Sequence, residues 1–586
     1  MWKNRIRPGN PEKLGVTRAG RELNFAVAVQ DEKDCSLLLY RKGMDEPELE
    51  FPFTDDMRFG EICAMGLDGL PVQEYEYNYR INGKIVQDPY AASIRGREIW
   101  GKEVEEEKLR CQTRFESFSW GEDHPLTLPV EQCVMYKTHV RGFTMDPSSG
   151  VRHPGTFAGI REKIPYLKKL GITQLLLMPV YEFAEIREER AAKKHMPVRK
   201  GMGERINYWG YGKAYYFAPK ASYSASGDPV RELKMLVREL HKNGIEVILE
   251  FYFPERTRVG LVMDCIRHWV REYHIDGFRF DLMGLLDVEL MNRIRRELDT
   301  VYGEGEILIY GEPWAADVTA MEDGAAPALK SNIQLLDKNV GMFCDDTRDA
   351  IKGHVFEAET PGFVNGAEGM EDKILDSVTA WCGNDSVKAP SQIITYVSAH
   401  DNWTLWDKLE KTISDEKQRE KVNRLAAAIY MTCQGNLFFL SGEEFARTKD
   451  GYENTYNASI ALNRLDWERA YEYQELRQYY QGLIALRKQL PGLCDKSEEA
   501  WKRISGQWKE DGAVGFLVDN RDEANTCPWK KLLIIYNRTE KTVTRELPEG
   551  NWEILLNGEN SFLWKEPKNT QKAEAAPVSA LILGQR

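Results

Sequence analysis

Residues 274–284 read HIDGFRFDLMG. In an extended strand successive side chains point to opposite faces, so Arg279 and Asp281 share one face and Phe278 and Phe280 the other. A buried carboxylate is costly unless paired, and the arginine is the obvious partner. A structural ion pair inside an α/β protein and a functional carboxylate are both open on this stretch alone. Its surroundings decide between them.

Outward from it, short apolar runs alternate with amphipathic helical segments. Strands are expected at CVMYKTHV (133–140), QLLLMPV (174–180), EVILEFYF (246–253), GFRFD (277–281), EILIYGE (306–312), NIQLLD (332–337), IITYVSA (393–399) and NLFFLSG (436–442). Runs apolar on both faces suit parallel strands covered by helices. One helix is expected over TFAGIREKIPYLKKLG (156–171), with Thr156 as N-cap and Gly171 just past its end. Others are expected in LVMDCIRHWVREYH (261–274) and RLAAAIYMTCQG (424–435). Eight strand–helix units predict an α/β protein built on a (β/α)8 TIM barrel over 130–490.

Before the barrel the text is strand-like: LNFAVAV (23–29), CSLLLY (35–40) and YEYNYRI (75–81), the last followed by the hairpin pair Asn82-Gly83. This predicts an N-terminal β-sandwich over 1–92 and a polar connector over 93–129 that carries the charged run KEVEEEKLR. After 490 the runs VGFLVD, KLLIIYN, WEILLNG and SALILG predict a C-terminal β-sandwich over 491–586.

Composition narrows the function. The net charge is −13, with 42% hydrophobic and 29% charged residues, and no basic patch is interleaved with aromatics, so nucleic acid is not the expected partner. No apolar run reaches membrane-spanning length and the N-terminus lacks an apolar signal region, so no membrane partner and a cytoplasmic location are expected. The 10 cysteines form no CxxC pair, which argues against zinc and thioredoxin-like readings and for free thiols in a reducing compartment. The 15 tryptophans and 26 tyrosines suit a sugar cleft and a large core alike.

In such barrels chemistry sits at the C-terminal strand ends. Three acids end strand runs here: Asp281 after GFRF, Glu312 after ILIYG and Asp401 after ITYVSAH. Retaining glycoside hydrolysis needs one ionised carboxylate to attack the anomeric carbon and a protonated one to release the leaving oxygen. Arg279 is expected to lower the pKa of Asp281 and keep it a nucleophile. The Pro313-Trp314 flank is expected to raise Glu312 for the acid role. Asp401 suits stabilisation of the oxocarbenium-like charge.

The motifs DGFRFDLMG (276–284), YGEPW (310–314) and YVSAHDNWTLWDKL (396–409) resemble those of the α-amylase superfamily, glycoside hydrolase family 13, and most closely its pullulanase and isoamylase branch of α-1,6 debranching enzymes. HVRGFTMDPSSGVRHPGTFAGI (139–160), NYWGYGKAYYFAPKASYS (207–224) and GEEFARTKDGYENTYN (442–457) resemble other parts of that barrel, and VQDPYA (86–91) resembles the end of the carbohydrate-binding-like module before it. The resemblance implies Asp281 as nucleophile, Glu312 as general acid/base and Asp401 as transition-state stabiliser. It implies Arg279, His400, Tyr211, Trp314 and Glu250 around the substrate, with Tyr211 as a platform under the sugar. An α-glucan oligosaccharide or polysaccharide is the expected partner, with no cofactor and no metal; oligomeric state is open.

The chain also departs from the pattern. The third strand of the family usually ends in Asp-x-x-x-Asn-His; here EFYFPE puts Glu250, Pro254 and Glu255 at those places, and the following loop is short. Gly212-Lys213 follows WGY, and Ile460 stands where these relatives tend to have an acid. A glucan-binding pseudoenzyme and an α-1,4 hydrolase or transferase are the alternatives to an α-1,6 hydrolase.

Overall fold

The computed structural model describes residues 5–30, 34–186, 206–254, 256–315, 324–383, 386–524, 526–566 and 568–586. Eight parallel strands close a barrel: β1 (Val134–Thr138), β2 (Gln174–Leu177), β3 (Glu246–Phe251), β4 (Gly277–Phe280), β5 (Leu308–Gly311), β6 (Val340–Phe343), β7 (Ile393–Thr395) and β8 (Asn436–Leu440). The ring closes through β1 and β8, with Met135 opposite Phe438. Every residue of β1, β2, β3, β4, β6, β7 and β8 is buried, as strands sandwiched between a filled interior and a helical coat must be.

The alternation of strand side chains sorts the barrel into layers. Met135, Leu176, Ile248, Tyr310, Phe343, Ile394 and Phe438 plug the interior. Two residues further along their strands, on the same inward face, stand Lys137, Glu250, Glu312 and Tyr396. On the outward face Phe278 joins Phe251 and Trp269 in the main core beneath the helix Val259–Tyr273. A hydrophobic plug therefore forms the floor on which a polar layer is built.

Two expected elements differ. The sixth barrel strand is Val340–Phe343, while the first four residues of the expected NIQLLD lie in a 3-10 segment, Lys330–Leu335, where the Asn332 amide donates to the Pro327 carbonyl at 2.8 Å. A glycine weakens the strand signal of VGMF, yet Gly341 is what leaves room for its neighbour: an added Cβ would stand 3.0 Å from the Tyr310 Cβ. The helix expected over 156–171 is two helices, Phe157–Glu162 and Ile164–Leu170, because Pro165 has no N–H to continue the ladder. Its ends are as read: the Thr156 hydroxyl accepts from the Gly159 N–H, and Gly171 has φ 94°.

Two antiparallel sheets precede the barrel. One runs Ile6–Pro8, Ile62–Asp68, Glu22–Ala28, Gly15–Ala19; the other runs Ile94–Arg95, Arg110–Cys111, Tyr75–Ile81, Cys35–Arg41, Leu49–Pro52. The second sheet thus takes in part of the stretch read as connector. Cys111 pairs with Tyr77, and the buried Asn78 amide donates to the Leu109 carbonyl at 2.7 Å. This module packs on the excursion between β2 and β3: Tyr90 stacks on Phe217 at 4.6 Å, and Tyr215 and Ala218 enter its core. After the barrel, a six-stranded antiparallel sheet and the pair Val543–Glu546 with Lys572–Ala575 enclose a core around Trp552 and Ile535. No helix among the described residues is long and apolar enough to cross a membrane.

Candidate active site

The polar layer sits at the C-terminal ends of β1, β3, β4, β5 and β7. Hydrogen bonding continues past the strands and fixes where the acids stand: the Asp281 N–H donates to the Phe251 carbonyl at 2.8 Å, and the Glu312 N–H to the Phe280 carbonyl at 3.1 Å. Leu282, directly after Asp281, holds φ 47°, a left-handed conformation that a bulky residue adopts only where its surroundings enforce it. Gly311 is needed for the approach of β5 to this turn, since a Cβ there would meet the Phe280 carbonyl at 2.7 Å.

Arg279 is fully buried and is the hub. Its Nη1 donates to Asp281 Oδ1 and to Glu250 Oε1, each at 2.6 Å, and its Nη2 donates to Glu312. Glu312 Oε2 also accepts from the Leu282 N–H at 3.1 Å. The two acids thus lie against opposite ends of one guanidinium. Burial raises Glu312 to about 8; Arg279 pulls it down, and the charges of Asp281 and Asp401 push it up. The expected apolar flank is thus only part of the cause. For Asp281 the expected net lowering is not found. Burial raises it above the usual carboxylate range, and the attraction of Arg279 and Lys137 offsets this only in part, with Glu250 adding to the rise.

His400 and Tyr211 close one side. Lys137 Nζ lies 2.6 Å from His400 Nδ1 and 2.6 Å from Glu250 Oε2. His400 Nε2 lies 3.0 Å from the Tyr211 hydroxyl, which itself donates to Glu250 Oε1. Trp209 meets the imidazole edge-on at 4.5 Å between ring centres. Burial, then the cations Lys137, Arg279, Lys449 and Arg447, hold His400 far below its ordinary pKa, so it is neutral. The backbone beyond it is held by Lys449, whose ammonium donates to the carbonyls of His400 (3.1 Å), Asn402 (2.5 Å) and Glu453 (2.5 Å).

The structure joins Asp281, Glu312, Arg279, Glu250, His400 and Tyr211 in one hydrogen-bonded cluster, but on different levels. Asp281, Glu312 and His400 keep 8%, 4% and 7% exposure, and Asp401 and Tyr211 are half-buried, whereas Glu250, Arg279 and Lys137 keep none. Glu250 was expected against the substrate; with no exposed surface and both oxygens engaged it works through Arg279 and Tyr211 instead. Asp401 accepts from the Asn402 amide at 3.4 Å and stands close enough for its charge to act on Glu312. Trp314 packs on the barrel's interior plug, and its carbonyl accepts from the Gly284 N–H at 3.2 Å. Pro254 caps a short turn, its carbonyl accepting from the Thr257 N–H at 3.1 Å, and the helix begins at Val259. Glu255 lies outside the described residues.

Lys137 and Lys449 were missed. The signal for Lys137 was present: a lysine in a parallel strand buried on both faces, in phase with the inward Met135. No short-range signal marks Lys449, which acts from a loop 49 residues beyond His400 in sequence. Glu250, Asp281 and His400 also form the one candidate metal cluster among the described residues, their ligand atoms within 4.8 Å of one another. Those atoms already face Lys137 and Arg279, so the positive charge a metal would bring is in place.

A TIM barrel with a carboxylate pair bridged by a buried arginine at its C-terminal face, and a third acid whose charge reaches the pair, is the architecture of a glycosidase. Comparison with known proteins specifies it. Residues 117–255 match the family "Alpha amylase, catalytic domain" and residues 510–560 match "Pullulanase, all-beta domain". Over 514 residues the chain is 29% identical to the pullulanase of Bacillus subtilis (strain 168), covering 77% of this chain and 68% of that protein. It is 26% identical to the chloroplastic isoamylase 3 of Oryza sativa subsp. japonica, covering 88% and 78%. The crystal structure of the pullulanase from Paenibacillus barengoltzii, in complex with maltohexaose and α-cyclodextrin, superposes with a TM-score of 0.83 at 28% identity over 98% of this chain and 96% of that one. In sequence and in structure the chain is thus similar to the α-amylase superfamily and, within it, to the pullulanases and isoamylases of the debranching branch.

Proposed function

We propose that the protein is a retaining glycoside hydrolase that cleaves α-1,6 linkages in branched α-glucans of the pullulan or glycogen type. The observation that carries this reading is the Arg279 bridge: one buried cation holds Asp281 on one nitrogen and Glu312 on the other. The pullulanase and isoamylase relatives support the bond type, and the maltohexaose complex of the Paenibacillus barengoltzii enzyme supports an α-glucan ligand.

In this mechanism Asp281, ionised, attacks the anomeric carbon and forms a glycosyl ester. Glu312, protonated at neutral pH, gives its proton to the departing glycosidic oxygen, then takes one from the water that releases the sugar. Asp401 faces the positive charge that develops on the ring, and His400 Nε2 and the Tyr211 ring border the reacting sugar. The free thiols of all 10 cysteines support a cytoplasmic location.

The test is reducing-end release from pullulan, amylopectin limit dextrin and linear maltooligosaccharides, with Asp281→Asn as control. Release from the branched substrates that vanishes in the variant is expected. Release from linear chains alone would move the reading to α-1,4 bonds. Binding without turnover on any of them would make the chain a glucan-binding pseudoenzyme.

A further inference from the structure

Lys137 has no role in the chemistry above, yet it is fully buried in the middle of the site. It stands on β1 two residues beyond Met135, so its side chain rises from the hydrophobic plug into the polar layer. A buried ammonium persists only where its charge and protons are used: here His400 Nδ1 takes a proton at 2.6 Å, and the Glu250 carboxylate balances the charge as an ion pair, Oε2 at 2.6 Å.

The chemistry of that contact dictates the rest. An ammonium has donors and no acceptor. Nδ1 of His400 must therefore accept, so its ring proton sits on Nε2. Nε2–H then faces the Tyr211 oxygen at 3.0 Å, and the Tyr211 proton goes to Glu250 Oε1. The donor-only ammonium of Lys137 at one end and the acceptor-only carboxylate of Glu250 at the other thus fix the same direction along the chain Lys137–His400–Tyr211–Glu250. An acceptor at position 137 would work against it, drawing the proton to Nδ1 and leaving Nε2 unable to donate to a hydroxyl in the cleft.

We propose that Lys137 is a positioning residue for the sugar-binding side of the site: it helps lock His400 as the Nε2–H tautomer, whose proton rests on the Tyr211 oxygen in the free site and is shared with a hydroxyl of the bound α-glucan, and it balances the charge of Glu250, which holds Arg279. Past strand β3, Pro254 offers neither a polar side chain nor an N–H, and the chain turns into a helix at Val259. The inference rests on the catalytic reading of the site, but its first test does not.

A purely structural role, balancing the charge of Glu250, is the rival explanation, and variants at Lys137 and Glu250 separate them. Lys137→Met removes the cation and keeps the side-chain length. Lys137→Met with Glu250→Gln removes both charges, so nothing buried is left unbalanced. The first readout is the 15N spectrum of histidine-labelled protein without substrate, with His400 assigned by its loss in His400→Gln. The groups facing His400 are Lys137, Arg279, Lys449, Arg447, Tyr211 and Glu250. The native protein is expected to show a neutral Nε2–H imidazole throughout the range in which it stays folded. Lys137→Met alone leaves the Tyr211–Glu250 end in place, so the deciding comparison is between Glu250→Gln, which keeps the ammonium and is expected to retain that signature, and the double variant, which is expected to lose it. On pullulan the expectation is a kcat at least about tenfold lower in both Lys137 variants, the scale of one lost or misdirected hydrogen bond at a reacting sugar, with thermal stability recovered only in the double variant. Loss of the Nε2–H form in Glu250→Gln, its retention in the double variant, or recovery of kcat in the double variant, would overturn the proposal. Should the native protein turn over no glucan, the functional reading fails while the tautomer comparison still decides the role of Lys137.

Discussion

The backbone N–H of Leu282 donates to the carboxylate of Glu312 at 3.1 Å. Leu282 reaches this position only by adopting φ 47°, and it is the residue next to Asp281. The turn that aims the nucleophile therefore also anchors the acid on the neighbouring strand. The spacing of the two carboxyl groups is set by backbone and by one guanidinium rather than by mobile side chains.

Asp281→Asn keeps the shape of the site and removes the attacking charge. The expected loss in kcat is about 10^4-fold or more with the fold intact, and Glu312→Gln should cost about 10^2- to 10^4-fold. Substrates with activated leaving groups check the assignment, because they need no proton. Glu312→Gln should regain glycosyl-enzyme formation on them, and Asp281→Asn should not.

The acid pair sets the pH profile. Glu312 must be protonated to act, and its pKa is raised to about 8, so kcat/KM should fall as pH rises through about 8. Asp281 must be ionised, and burial raises it, so the acid limb should lie above the usual carboxylate range. The limbs belong to the coupled pair and not to either residue alone. A profile that stays flat to pH 10 would assign the acid role elsewhere.

Lys449→Met should loosen the backbone that carries His400 and Asp401. Three carbonyls lose a charged donor together. A destabilisation of about 2–3 kcal/mol is expected, the scale of charge-assisted hydrogen bonds left unmade. Thermal unfolding reads that change, and the fall in kcat should exceed what the unfolded fraction explains, since the segment that carries His400 and Asp401 is displaced.

His241 ties the connector to the barrel. Its Nδ1 lies 3.0 Å from Asp123 and its Nε2 2.9 Å from Asp276. Burial alone would lower its pKa, but the two carboxylates raise it to about 9 from 6.5. A raised folded-state pKa gives stability that is complete below pH 6.5 and is lost as pH rises through about 9. The term is on the order of 3 kcal/mol at most. His241→Gln should be less stable than the native protein at pH 6 and nearly equal to it above pH 9, as urea midpoints at the two pH values will show.

Much of this protein is legible in its sequence because local physics fixes it. Alternation in a strand puts Arg279 and Asp281 on one face, and the run of apolar segments makes the barrel. Thr156 and Gly171 mark helix ends by capping chemistry alone. The sequence failed where a local signal was overruled by a distant neighbour. VGMF carries a glycine that weakens its strand signal, and it is a strand because it pairs with β5 on one side and β7 on the other, where Gly341 fits against Tyr310. The net pKa of Asp281 could not be read from the adjacent arginine, because the same guanidinium also serves Glu250 and Glu312, and because burial outweighs it. Sequence names the acids and their first partner. Only the closed barrel decides that β1 delivers Lys137 to His400, 263 positions away, because only closure brings those strand ends around one polar layer.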